Sequence, residues 1–344
     1  MIARIIQITL GLLFTAGGLW FFFKGVDTTL LWHELCRINP VILLLCMMLN
    51  VAVIVLRAVR WNIFLPVRDG VSRRNLFDIT AIGFMVNNVL PARIGEAVRV
   101  VLLWKRNRFA LSVSIASIVV ERLVDMAFYA GLFLLSLRVL DIQNDQNSMI
   151  QAGAITVQWG LGAVTAGIIL LFAGYAFFPK GAASLSKRIC TVLPKRFAGR
   201  VENLGEDVLL TMGWLRTPRQ LWLVVALSLI ISLCYSSMFV LLVGSFSSFG
   251  FLHGLFAQGC AAMGAMIPLA PGYVGTLHAV VFEGLRALQI APDHARAVTI
   301  LYHAIGYIVV TALGLYYFFR MKLTIGELLN SSKTIKDQKT PPIK

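Results

Sequence analysis

Charge is scarce in this chain: 14% of its 344 residues are Asp, Glu, Lys or Arg, against 58% hydrophobic, and the mean hydropathy is +0.80. That balance excludes a soluble globular protein and marks an integral membrane protein. Acidic residues are scarcer still, 16 against 31 Lys and Arg, for a net charge of +15. Most of the basic residues fall in segments that can share one side of a membrane, so the excess reads as a topology signal for the cytoplasmic side and not as a nucleic-acid surface. The five cysteines, Cys36, Cys46, Cys190, Cys234 and Cys260, form no C-x-x-C pair, so neither a disulfide framework nor a metal site is expected. The five histidines lack metal-ligand spacing, and no G-x-S-x-G or phosphate-binding Walker loop occurs. With no nucleophile beside a base, the expectation is a protein that is not an enzyme and uses no cofactor.

A membrane span needs about 20 apolar residues, and six runs reach that length: roughly 5–25, 41–65, 111–140, 153–178, 221–247 and 297–319. The first has only a weak positive start at Arg4 and no small-residue cleavage site, so it is expected to be a retained span. Two further runs are interrupted, 76–104 at Pro91 and 251–285 at Pro268 and Pro271. The pieces around Pro91 are too short to cross singly and predict a re-entrant hairpin; the second run predicts a hairpin or two short spans. Threading from a cytoplasmic N-terminus puts Arg60, Arg68, Arg73, Arg74, Lys105, Arg106 and Arg108 inside, and Asp141–Ser148 outside. The expected fold is thus an all-α polytopic protein of the cytoplasmic (inner) membrane, with about six transmembrane helices, two re-entrant or broken hairpins, and both termini cytoplasmic. Its parts are a first transmembrane half over 1–179, a basic linker over 180–219, a second half over 220–320 and a polar cytoplasmic tail over 321–344.

A shift of 180 residues places Pro91 on Pro271 and Gly95 on Gly275, so that "LPARIG" and "APGYVG" share the spacing P-x-x-x-G. The matched units enter from opposite faces, which makes the repeat an inverted one. Broken apolar segments at matching positions of two inverted halves point to a transporter's substrate site. In the linker, Val201, Leu204, Val208, Leu209, Met212 and Leu215 recur at helical spacing, as expected of an interfacial helix tethering the halves.

Six charges lie within apolar segments: Arg93, Glu96 and Arg99, recurring every third residue along one helix side after the first proline, and Glu121, Arg122 and Asp125 midway along the third span, with Glu121 one turn from Asp125. Each costs roughly 2.5–3.5 kcal/mol near the bilayer centre, so they are expected to be paired or to face water. Counted alone the six sum to zero, as a mutually neutralising cluster would. An ion-pair network that merely pins the hairpin to the third span would account for them. The proline break argues for more, because backbone groups freed at membrane depth need protein or a watery cavity, and arginines beside a helix N-terminus suit phosphate. Asn87 and Asn88 are candidates to cap or to coordinate there. In the second break, Pro268, Pro271, Gly272 and Gly275 allow a sharp turn but bring no fixed charge; His278, Glu283 and His303 are weaker candidates.

"NNVLPARIGEAVRVVLL", then "ERLVD" (Glu121–Asp125), then "PLAPGYVGTLHA" resemble the flippase-like integral membrane family that includes the transmembrane region of lysylphosphatidylglycerol synthases. The family pattern looks like N-x-x-L-P-x-R-x-G-E-x-x-R, E-R-x-x-D and P-x-P-G-G-x-G. This chain departs from it at Tyr273, which stands where the second glycine is expected, and in lacking an acidic residue directly after Gly275. The synthases carry a large acyltransferase domain after the membrane part, whereas a short polar tail follows here, so the resemblance implies the lipid-translocating half alone. It implies a lipid flippase or transporter for a phospholipid or other phosphate-bearing lipid. The substrate-binding residues would be Asn88, Arg93, Glu96, Arg99, Glu121, Arg122 and Asp125, and the broken-helix hinges Pro91, Gly95, Pro268, Pro271, Gly272 and Gly275. The alternative is a non-transporting accessory subunit presenting lipid to a glycosyltransferase or lipid-modifying enzyme. Expected partners are membrane lipids, anionic or phosphate-bearing, with a lipid-modifying enzyme or a second copy of the chain as further candidates.

Overall fold

A computed structural model describes residues 17, 19–20, 22–24, 28–66, 73–90, 93–107, 109–140, 148–179, 181, 205–266, 271–324 and 326. Among them the chain is helical throughout, with no strand. The helices are α1 (Thr28–Arg37), α2 (Pro40–Phe64), α3 (Arg73–Val89), α4 (Ile94–Asn107), α5 (Leu111–Val139), α6 (Ser148–Phe177), α7 (Pro218–Val243), α8 (Phe251–Met266), α9 (Thr276–Ala287) and α10 (Pro292–Arg320).

Local chemistry sets several boundaries. Pro40, Pro218 and Pro292 each open a helix, where the missing N–H is no loss. The side chain of Asn39 accepts from the Val41 N–H at 2.9 Å, capping α2. Among the described residues four helices are long and apolar enough to cross a membrane: α2, the Gln158–Phe177 part of α6, α7 and α10. α5 is 29 residues long but carries Glu121, Arg122 and Asp125 in its middle. At about 1.5 Å per residue it still reaches ~44 Å. Trp159, Leu170, Phe177 and Trp222 are among many large apolar side chains left exposed, as a lipid-facing surface would leave them. Most of the first apolar run lies outside the described residues; its Phe22 packs edge-on against His278 and Phe282. The amphipathic α1, which hydropathy gave no reason to expect, packs on α10.

Both interrupted runs fold as antiparallel helix pairs. α3 and α4 pack along each other, with Gly83 against both Gly95 and Arg99; α8 and α9 do likewise, with Gly264 against Leu277 and Cys260 against Gly284. The pairs are then clasped across the molecule. α10 lies on α3 and α5 lies on α8, while α2 and α7 pack together between them. Within the linker, 205–211 is helical, followed by a tight turn at Gly213–Arg216. Met212 and Trp214 are buried against the first helices, with Trp214 beside Phe64 and Phe172. Val201 and Leu204 lie outside the described residues.

Three apolar cores form among the described residues, one around Trp61, Phe64 and the first hairpin, another around Cys46, Met238 and the second, and a smaller one joining Phe133 and Leu137 of α5 to Phe256 and Cys260 of α8. α2 runs through the first two, and between them it carries Asn50, Arg57 and Arg60.

Candidate functional site

The buried charges form one connected network, larger than the six predicted. Arg99 of α4 donates to both carboxylate oxygens of Glu121, at 2.7 and 3.3 Å. Arg122 lies 2.8 Å from Glu121, 3.5 Å from Asp125 and 3.6 Å from Glu96. Glu96 also faces Arg93 at 3.9 Å. From α2, Arg57 donates to Asp125 at 2.9 Å and lies 3.7 Å from Glu121, while Arg60 pairs with the other oxygen of Asp125 and donates to Ser228 at 2.8 Å.

Two expectations are corrected here. Arg60, counted among the cytoplasmic charges at the end of the second span, is instead 1% exposed; one turn beyond Arg57 on the same helix face, it meets Asp125 inside the protein. The cluster is also not neutral. With Arg57 and Arg60 included, five arginines face three carboxylates, an excess of two positive charges. Hydropathy hid both residues, because an arginine at the end of an apolar run reads as a membrane boundary. The available signal was their i, i+3 spacing, which puts both on one face.

A cavity of about 550 Å³ opens beside this network where the two halves cross. Its wall takes Arg57 from α2, Asn88 from α3, Arg93 and Glu96 from the first break, Arg122 and Asp125 from α5, and Tyr302 and His303 from α10. The predicted site residues divide accordingly. Asn88, Arg93, Glu96, Arg122 and Asp125 line the cavity, and the side chains of Arg93, Arg122 and Glu96 are 27%, 27% and 25% exposed. Arg99 and Glu121 stand behind that wall at 0% and 1%, with the Arg99 guanidinium 4.1 Å from the centre of the Trp61 ring.

The tips of the two hairpins meet at the cavity. Asn87 accepts from the Gly95 N–H at 2.8 Å, capping α4, and a Cβ on Gly95 would run into the Gly83 carbonyl. Asn88 donates to Thr311 at 3.2 Å and to the Tyr307 carbonyl at 3.4 Å, tying α3 to α10. Arg93 does not continue the helix as its spacing suggested; it sits in a left-handed turn (φ 51°) and donates to the Ala265 carbonyl at the end of α8, at 2.8 Å. From the opposite tip, Tyr273 is also left-handed (φ 60°) and lines the cavity together with Arg93. Gly272 (φ 58°) packs so closely that a Cβ would lie 3.0 Å from the Asn88 carbonyl. Pro91 and Pro268 lie outside the described residues; Pro271 opens the short turn Pro271–Tyr273, and Gly275 (φ 91°) precedes α9.

His278 and His303 join this tip to α10. The Gly275 N–H donates to His278 Nδ1 at 3.3 Å, the facing ring nitrogens of the two histidines are 3.3 Å apart, and His303 Nε2 is 2.7 Å from the Gly272 carbonyl. One neutral tautomer of each ring satisfies all three contacts, with Nε2–H donating in both. Glu283 is exposed and does not line the cavity.

A UPF0104 membrane protein of Methanocaldococcus jannaschii is 24% identical over 291 residues, covering 81% of this chain and 84% of its own length. One from Methanothermobacter thermautotrophicus is 22% identical over 308 residues, 81% and 85% of the two chains. Residues 8–314 match the family described as the lysylphosphatidylglycerol synthase TM region, and the chain belongs to that family of membrane proteins.

Proposed function

We propose that this protein is a lipid flippase of the cytoplasmic membrane, a carrier and not an enzyme, moving a phosphate-bearing lipid between leaflets. The observation that carries the reading is the excess of two arginines in a network bordering a cavity where two broken hairpins meet. Inside a protein such an excess is costly unless an anion answers it, and guanidinium groups suit phosphate oxygens.

In this reading the first apolar run, α2, α5, α6, α7 and α10 cross the membrane, while α3–α4 and α8–α9 enter and leave on their own sides. An inverted repeat is supported by the packing, since a shift of about 180 residues carries α2, α3, α4 and α5 onto α7, α8, α9 and α10. The clasp of α5 on α8 then maps onto that of α10 on α3. A headgroup held between the two hairpin tips could be passed across as the halves rock about it. The basic excess between apolar runs supports cytoplasmic termini.

The test is leaflet exchange of fluorescent lipids in proteoliposomes, comparing wild type with Arg122→Ala. Removing one charged contact from the headgroup should slow exchange about tenfold to a hundredfold, with thermal melting of the detergent-solubilised variant close to wild type. A folded wild-type protein that moves no phosphate-bearing lipid would overturn the carrier reading and leave lipid presentation to a partner enzyme in its place.

A further inference from the structure

The cavity has two chemically different ends. One, at the hairpin tips, holds Arg93 and Arg122 on either side of Glu96. The other lies between α2, α5, α7, α8 and α10 and is polar but almost free of net charge. There Arg57 is held by Asp125 and by Tyr129, with Tyr235 and Tyr302 beside it. The Tyr302 ring is fixed by stacking on Phe239, centroids 4.1 Å apart. Gln258 is 5% exposed, borders the cavity, and its amide oxygen has no hydrogen-bond partner among the described residues. Asn50, 4% exposed on the same wall, has only the Met238 sulfur, 3.8 Å away, against its amide nitrogen.

Phenols and carboxamides both donate and accept hydrogen bonds. A phosphate can only accept and an ammonium can only donate, whereas hydroxyl groups do both and are uncharged. The carboxylates do not invite an amine either. Glu96 is engaged by Arg93 and Arg122, Glu121 by Arg57, Arg99 and Arg122, and Asp125 by Arg57, Arg60 and Arg122.

We infer that the cavity selects a lipid whose phosphate carries a neutral polyol, such as a glycerol, inositol or sugar unit. The phosphate lies at Arg93 and Arg122, and the hydroxyls meet Tyr302, Gln258 and Asn50. The inference rests on the carrier reading above for its site, and it excludes amine-bearing headgroups.

The test measures binding and movement separately on the same purified protein. Phosphatidylinositol, phosphatidylglycerol, phosphatidic acid and phosphatidylethanolamine with matched acyl chains are titrated in nanodiscs, and each is then assayed for leaflet exchange. The two polyol lipids should bind at least about tenfold tighter than phosphatidic acid, because the acid leaves buried polar groups unpaired, and phosphatidylethanolamine should bind weakest. Gln258→Leu and Tyr302→Phe should bring the polyol lipids down to the affinity of phosphatidic acid without weakening the acid itself, an internal control for folding. Equal binding of phosphatidylinositol and phosphatidic acid, tightest binding of phosphatidylethanolamine, or binding of none overturns the inference. The expected order without leaflet movement would leave the polyol site standing and remove the carrier reading.

Discussion

Arg99 and Glu121 form a two-pronged ion pair that is closed to the cavity, with the guanidinium also lying against Trp61. The pair fixes the second helix of the first hairpin to α5, so its part is to hold the wall that Arg122 and Asp125 present. Breaking a buried pair strands a charge and costs about 3–5 kcal/mol. Arg99→Ala should therefore melt far below wild type or fail to accumulate. Arg99→Lys keeps the charge but loses the fork and the stacking, and should fall between the two. If Arg99→Ala melts like wild type, the pair does not hold the hairpin.

Gly95 sits where the two helices of that hairpin touch, its Cα facing the Gly83 carbonyl and the Asn87 side-chain oxygen that caps α4. A methyl group has no room there unless the helices part. Gly95→Ala should cost about 1–3 kcal/mol by overpacking, although alanine is the better helix former. Asn87→Ala, which removes only the cap, should cost about 1 kcal/mol. The order of the two melting temperatures checks the assignment, and an alanine at 95 that raises stability would contradict the close approach.

The architecture was readable to the extent that physics acts along the chain. Apolar length announced α2, α5, α6, α7 and α10, and the prolines announced two breaks whose flanking helices are α3, α4, α8 and α9. What periodicity could not supply was the company each charge keeps. Arg60 read as a boundary residue because nothing local says that Asp125, 65 positions away, will meet it. Arg93 and Arg99 read as one helical face, yet the turn at Arg93 sends one toward the cavity and the other behind its wall. The polyol end had no signal at all, since Asn50, Tyr129, Tyr235, Gln258 and Tyr302 come from five helices and none of them is charged.

Tyr273 holds a left-handed backbone with φ 60°, a conformation that glycine adopts freely and that costs other residues on the order of 1 kcal/mol or more. This explains why glycine suits the position in the family pattern. The comparison that isolates the strain is between Tyr273→Gly and Tyr273→Ala, because both lose the ring. At an ordinary position alanine would be the more stable of the two. Here the glycine variant should be the more stable by about 1 kcal/mol. The reverse order in thermal melts would mean the turn is not held as described.

His303 holds the same tip from the other side, through its contact with the Gly272 carbonyl and its link to His278, which in turn accepts from the Gly275 N–H. His303→Leu keeps an apolar side chain on α10 but removes both of its contacts. A net hydrogen bond is worth about 0.5–1.5 kcal/mol, so the turn should open roughly two- to tenfold more often while the rest of the fold is unchanged. Hydrogen exchange read by mass spectrometry should show faster exchange in peptides covering 271–278 and none in those covering α3 and α4. Leaflet exchange should change with it, because the freed tip carries Tyr273, which lines the cavity together with Arg93. Unaltered protection at 271–278 would assign the histidines to packing alone, and faster exchange spread over both hairpins would show that the two tips open as one unit.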